Sequence, residues 1–233
     1  MNEEYLKVIT ERQTIFDENL RIIEQYKYHP EMLPFVGKNY GNNGEQKILL
    51  VYESHYLKND ALSEDLFSRY DWYNMYLKDI PELKEEYYGV GTRWVASQYA
   101  SGVKARWLKI FYRPFYKLYD FGITSEGRDR DFIEKFAYMN FFQRPVVGKN
   151  DSIKNAKITE NDIKIAKLTL NQVVDILKPD KIFVMSSYVR DRLEQVDYIN
   201  GIKVYYMVHP SRSWWTADEG KYGYRKFIDY YNE

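Results

Sequence analysis

Four short apolar runs, each ending in polar groups, constrain this chain more than any other feature. They are Lys47-Ile48-Leu49-Leu50-Val51-Tyr52, Phe136-Ala137-Tyr138-Met139-Asn140-Phe141-Phe142, Lys181-Ile182-Phe183-Val184-Met185-Ser186 and Ile202-Lys203-Val204-Tyr205-Tyr206-Met207-Val208. Runs of this length, rich in branched and aromatic side chains, read as strands buried on both faces. Segments with helical spacing separate them, so the connections read as crossovers between parallel strands. The expectation is an α/β fold with three layers, αβα, around a central four-stranded parallel sheet. Right-handed crossovers bring all four carboxyl ends to one edge, where ligands of open α/β sheets bind.

That edge gathers Glu53, Ser54 and His55 after the first run, Asn140 and Arg144 after the second, Ser186 and Ser187 after the third, and His209 and Ser211 after the fourth. The chain has three histidines, and two of them, His55 and His209, follow strands. Any one of these clusters is also what an ordinary strand-to-loop transition contains. Two imidazoles, a carboxylate and an amide in this order point to a site.

The rest of the chain reads as one domain over residues 1–233. An amphipathic helix over about 3–27 carries Leu6, Ile9, Ile15, Phe16, Leu20, Ile23 and Tyr26 near helical spacing, and His29-Pro30 ends it. A mainly helical insertion fills about 57–134. Within it, Lys104, Arg106, Lys109, Arg113 and Lys117 interleave with Trp107, Phe111, Tyr112, Phe115 and Tyr116, without an acid between 103 and 117. That stretch reads either as a solvated amphipathic face or as a surface for phosphates and bases. Thr159-x-x-Asp162 forms a capping-box pattern at the start of a helix, which Lys178-Pro179-Asp180 stops. Ser187 caps a short helix, Asn200-Gly201 leads into the last strand, and a final helix covers about 219–231.

Composition excludes several classes. Hydrophobic residues at 45% and charged residues at 29% describe a globular chain. Formal net charge is zero, so any nucleic-acid contact rests on local patches and not on a basic domain. The absence of cysteine excludes disulfides, thiolate zinc sites, iron–sulfur clusters and a cysteine nucleophile. No apolar run approaches the ~20 residues of a membrane span, and no secretory h-region is visible, so a cytoplasmic location is expected. Glu53-Ser54-His55 lacks a third metal ligand in sequence, and no metal or other cofactor is expected. No Gly-x-Gly-x-x-Gly follows the first strand, which argues against a dinucleotide site. An acid–nucleophile–base cluster of Glu53, Ser54, His55 and His209 has no Gly-x-Ser-x-Gly elbow behind it.

The order of strand ends resembles the uracil-DNA glycosylase superfamily. Leu49-Leu50-Val51-Tyr52-Glu53-Ser54-His55 is similar to that family's first motif, Tyr138-Met139-Asn140-Phe141-Phe142-Gln143-Arg144-Pro145 to its second, and His209-Pro210-Ser211 to its last, with Ile182–Ser186 as the intervening strand. The resemblance covers about 47–56 and 136–215. It departs in three places: Tyr52 stands where the family usually has glycine, no proline follows Glu53, and Arg212 stands where several members have proline.

The resemblance implies hydrolysis of the N-glycosidic bond of uracil or another deaminated base in DNA, single- or double-stranded. It implies Glu53 and His209 as catalytic residues: Glu53 to position water or stabilise the sugar cation, and His209 to donate to the leaving base. Asn140, with His55 as an auxiliary donor, would read the base, and Phe67 or Tyr70 would stack on it. Arg144, Lys149, Ser211 and Arg212 would contact phosphates. The altered first motif carries an alternative: a catalytically degenerate glycosylase fold that binds nucleic acid or a protein.

Overall fold

The runs of apolar residues do become strands, and the reason is visible in their burial. In the computed structural model, which describes residues 3–57, 62–103, 108, 110, 111, 113, 114, 130–147, 153, 156–212, 215 and 223–233, the strands in chain order are β1 (Phe35–Val36), β2 (Ile48–Tyr52), β3 (Tyr56–Leu57), β4 (Phe136–Asn140), β5 (Val146–Val147), β6 (Lys181–Val184), β7 (Tyr198–Ile199) and β8 (Ile202–Tyr206). Every residue of β2, β4 and β6 is buried, as expected of strands covered on both faces.

Six strands form one mostly parallel sheet in the order β1-β4-β2-β6-β8-β7, and β3 pairs with β5 in a parallel ribbon of its own. The four expected strands are neighbours within the sheet. Ile48 to Val51 pair in parallel with Lys181 to Val184, which pair in turn with Lys203 to Tyr206. The sheet has two more strands than expected. Short β1 lies at one edge. At the other, β7 runs antiparallel to β8 through a two-residue turn, in which Asn200 and Gly201 have φ of 49° and 80°. Positive φ at both positions is the type I′ geometry that Asn-Gly favours.

The chain divides into two compact units. The first comprises Met1–Phe35, Glu53–Val95 and Met139–Lys178, and the second Val36–Tyr52, Ala96–Tyr138 and Pro179–Glu233.

In the first unit the expected N-terminal helix is three short ones, Glu3–Thr10, Asp17–Leu20 and Glu24–Tyr28. The break has a local cause. Thr14 gives its backbone N–H and its hydroxyl to Asp17 Oδ1 at 3.1 and 2.9 Å, so that amide does not continue a helix. Arg93, buried, holds the same carboxylate with two nitrogens at 2.7 and 2.8 Å and donates to the Pro34 carbonyl. Within the insertion, the described helices include the short α-helices Leu66–Arg69, Tyr87–Val90 and Thr92–Ala100 and the 3-10 turns Trp72–Asn74, Leu77–Asp79 and Arg130–Lys135. The capping box forms as expected. Thr159 Oγ1 accepts from the Asp162 N–H, Asp162 Oδ2 accepts from the Thr159 N–H, and the helix runs Glu160–Leu177.

In the second unit, Phe183 packs between Tyr205 and Phe227, and Trp215 lies on Phe227. The final helix is Tyr224–Asn232; the expected start near 219 lies outside the described residues. Gly37 lies where a Cβ would collide with the Glu134 carbonyl, and its N–H donates to the Phe136 carbonyl at 2.9 Å. A larger residue would push these backbones apart.

The Arg93–Asp17 pair yields a stability prediction. Arg93→Ala removes two charge-assisted bonds from a carboxylate that keeps Thr14, with Arg21 3.7 Å away, and should cost about 1.5–3 kcal/mol in urea unfolding. Burial alone would raise the Asp17 carboxyl, but the Arg93 hydrogen bonds and charge, with the Thr14 bonds, outweigh it and leave the group below the usual carboxylate range. Its folded value is depressed, so its contribution is present above the unfolded value and lost as pH falls through the folded one. The variant should therefore show a shallower acid loss of stability than the wild type. A change within about 0.5 kcal/mol, as for an ordinary surface site, would contradict the role given to Arg93.

Candidate functional site

Parallel strands end in polar turns because their last backbone groups need partners once the ladder stops. In the second unit, β2, β6 and β8 stop nearly level. The ladder continues one bond past β6 and β8, through Met185 N–H to the Val51 carbonyl at 2.8 Å and Met207 N–H to the Val184 carbonyl at 2.9 Å. Beyond it lie Ser186 and the turn His209-Pro210-Ser211-Arg212. Ser186 is fully buried and caps the helix Ser187–Arg192, accepting from the Tyr188 and Val189 N–H groups. The capping role expected of Ser187 belongs to its neighbour, whose hydroxyl faces the first helical turn.

His209 is half-buried at the carboxyl end of β8. The Ser211 N–H donates to its Nδ1 at 3.2 Å, and the Ser211 hydroxyl lies 2.7 Å from the same nitrogen. A backbone N–H can only donate, so Nδ1 accepts. In the neutral ring the proton then sits on Nε2, which becomes a hydrogen-bond donor. The turn closes with Arg212 N–H to the His209 carbonyl at 2.9 Å. Ser211 and Arg212 are exposed.

Tyr52 ends β2 and is almost fully buried. Its ring meets His209 edge-to-face at 5.9 Å and Tyr138 at 5.3 Å, with Phe111 at 6.2 Å. Its hydroxyl donates to the Ile110 carbonyl at 2.8 Å. Burial, with Tyr138 and Tyr99 nearby, pushes the phenol well above the usual tyrosine value, so it stays protonated. The side chain at the position where the resembled family has glycine therefore lies in contact with the imidazole.

Arg113, expected from sequence in a basic-aromatic stretch, is half-buried and turns its guanidinium to the protein's own backbone. Its Nη1 donates to the Pro210 carbonyl at 2.7 Å and the Arg212 carbonyl at 3.2 Å. Most other residues of 103–117 lie outside the described set.

The first unit holds Glu53, His55, Phe67, Tyr70, Asn140 and Arg144. Glu53 is half-buried, and its Oε2 accepts from the Tyr56 hydroxyl at 2.8 Å. Its carbonyl accepts from the Phe142 N–H at 2.9 Å. Asn140 is buried at the end of β4, and its carbonyl accepts from Gln143 Nε2 at 2.7 Å. The amide of Gln143 also donates to the Phe141 carbonyl, so its orientation is set by two acceptors.

His55 is buried, with Thr92 Oγ1 3.1 Å from Nε2. Burial drives its pKa down to about 3, against a smaller raising effect of a hydrogen bond with the Gly89 backbone. It is a neutral internal residue. Arg144 is likewise internal. It pairs with Glu64 at 2.9 Å and Asp162 at 3.1 Å, donates to the Lys157 carbonyl, and lies 4.3 Å over the Phe67 ring. This guanidinium is held by carboxylates, as a buried charge must be, and it covers one face of Phe67. Phe67 also meets Trp72 edge-on at 5.8 Å. Tyr70 bonds Glu82, which raises its phenol, and Arg69 lies over its ring. Lys149 lies outside the described residues.

Sequence reading missed a buried cluster in this unit. His29 Nδ1 lies 3.0 Å from Glu31 Oε1, Nε2 donates to the Trp72 carbonyl at 2.7 Å, and the ring stacks on Trp72 at 3.8 Å. Tyr5 donates to the other Glu31 oxygen at 3.1 Å. The signal in the sequence is His29-Pro30-Glu31, an imidazole and a carboxylate held two residues apart by a proline. Among the described residues no group of three or more His, Asp or Glu side chains could hold a metal ion.

No protein-family model matches the chain. No curated protein is significantly similar to it.

His55 supplies a direct check. Its folded pKa lies below the unfolded value of ~6.5, so the neutral ring's contribution is full above that value. It is lost as pH falls from there towards about 3. Imidazole NMR shifts of His55 should stay those of a neutral ring from pH 7 down to pH 4 while the protein is folded. A titration midpoint near the ordinary histidine value would overturn the assignment of His55 as an internal residue.

Proposed function

We propose that this chain is a uracil-DNA glycosylase-like protein with a three-layer αβα arrangement, hydrolysing the N-glycosidic bond of uracil or another deaminated base in DNA. The observation that carries the reading is His209: an imidazole at the carboxyl end of a parallel strand, its Nδ1 engaged by the Ser211 N–H, its Nε2 left as the protonated nitrogen. Cleavage of the glycosidic bond puts the bonding pair on the base; water adds its hydroxyl to the sugar carbon, and its proton passes to solvent or to the departed base. A neutral N–H donor aimed at the departing anion stabilises charge that develops only in the transition state.

The sheet order supports a site at the neighbouring strand ends. The four strands stand as second, first, third, fourth, which makes a topological switch point between β2 and β6. Ligand crevices of open α/β sheets form outside the carboxyl ends at such a point.

One observation favours a second reading. The Tyr52 ring contacts His209 and is itself buried, which fits a fold that has kept its turn but closed its slot. In that reading the chain binds nucleic acid or a protein partner without cleaving a base.

Base release from uracil- and hypoxanthine-containing oligonucleotides separates the two. If the protein is a glycosylase, His209→Ala should lower release by roughly 100-fold or more, as for other lost oxyanion donors. Oligonucleotide affinity should change far less and fall steeply with salt, because phosphate contacts dominate it. No release by the wild type from any deaminated base sinks the catalytic reading. Release that survives His209→Ala undiminished removes His209 from the mechanism. Absent or salt-independent oligonucleotide binding counts against both nucleic-acid readings.

A further inference from the structure

We infer that Arg113 is the positioning residue that fixes the protonation site of His209, acting through a single peptide group. The argument starts from the planarity of the amide. The Pro210 carbonyl and the Ser211 N–H belong to one peptide unit, and in a trans unit they point in opposite directions; the described chain contains no cis peptide. Arg113 Nη1 donates to the carbonyl end at 2.7 Å. The N–H end donates to His209 Nδ1 at 3.2 Å. Holding one end of the plane therefore aims the other.

The second N–H of the same nitrogen reaches the Arg212 carbonyl at 3.2 Å. The cation thus ties the carbonyls on both sides of Ser211, and a rotation of the 210–211 peptide would have to break a charge-assisted bond. The cation also polarises the amide. A positive charge on the carbonyl oxygen makes the N–H a better donor, since hydrogen bonds in series strengthen one another. Both effects favour Nδ1 as an acceptor and so keep the ring proton on Nε2. Arg113 need not touch a substrate to do this. The basic stretch from which it comes contributes here through one side chain turned towards the protein's own backbone.

The inference rests on the proposed function only for its catalytic consequence, because the ring itself can be observed. Nitrogen NMR of the imidazole, at a pH where His209 is neutral, gives the ratio of the two tautomers. The wild type should be predominantly Nε2–H. Arg113→Met keeps an apolar stem without a donor and should lower the ratio by roughly tenfold, the order of one lost hydrogen bond. Arg113→Lys keeps a multi-donor cation on a shorter stem and should lie between the two, a partial rescue that a purely packing role would not produce. Should Arg113→Met fail to fold, Arg113→Lys decides alone, by whether its ratio falls below that of the wild type.

An unchanged ratio in a folded variant overturns the inference. An unchanged ratio with weaker, less salt-dependent oligonucleotide binding also overturns it and makes Arg113 a phosphate contact. Where the wild type releases a base, Arg113→Met should lower kcat with KM little changed; the opposite pattern would again contradict positioning. If the wild type releases none, the proposed function fails while the ring measurement still decides the role of Arg113.

Discussion

The parallel pairing of β2 with β6, and of β6 with β8, sets where the polar groups of the second unit can stand. The three strands are in register from Ile48, Lys181 and Lys203 upward, and their ladder runs out within a residue or two of one another. Each strand has to leave the sheet at nearly the same height. The residues that follow must then satisfy backbone groups that no neighbouring strand can reach. Ser186 does so by capping a helix, and His209 and Ser211 by folding a turn back on an imidazole. Tyr52 instead fills the space beside that imidazole with its ring, and its hydroxyl donates to the Ile110 carbonyl. The chemistry available at this edge follows from which of these solutions each strand end adopted.

Burial then sorts the polar residues into two kinds. Arg144, His55, Arg93 and Asp162 all carry groups that could meet a ligand, and all are internal. A guanidinium removed from water needs carboxylates and carbonyls around it, and Arg144 has them. An imidazole removed from water sheds its charge, as His55 does. His209, Ser211 and Arg212 are the residues of the resembled motifs in the second unit that keep access to solvent. Charged and polar residue types after a strand are therefore weak guides to a binding site by themselves. Packing around them decides whether they face a ligand or stabilise the protein from within.

Arg113 shows the same sorting in reverse. Its neighbours in sequence made it one cation of a basic run, a pattern whose usual destination is solvent or phosphate. The carbonyls of Pro210 and Arg212 gave it a different destination. Nothing in the local pattern around residue 113 refers to residues 210 and 212, nearly a hundred positions away, and only the folded chain brings donor and acceptors together.

What the sequence determined by itself was local. The apolar runs became strands because branched and aromatic side chains had no polar face to turn outward. The box of Thr159 and Asp162 opened its helix because both partners lie within one turn of each other. Asn200-Gly201 tolerates positive φ at both positions and so carries a hairpin signal within the sequence itself. The tertiary structure decided what depends on distant partners. It set the order of the strands and added β1 and β7 as edges. It added Arg93 to the carboxylate of Asp17, whose local bonds to Thr14 already interrupt the N-terminal helix, and it turned Arg144 and His55 inward. The physical reason is range. Strand propensity and capping act between residues within a turn or two, whereas a buried charge or ring takes its role from whatever the fold packs against it.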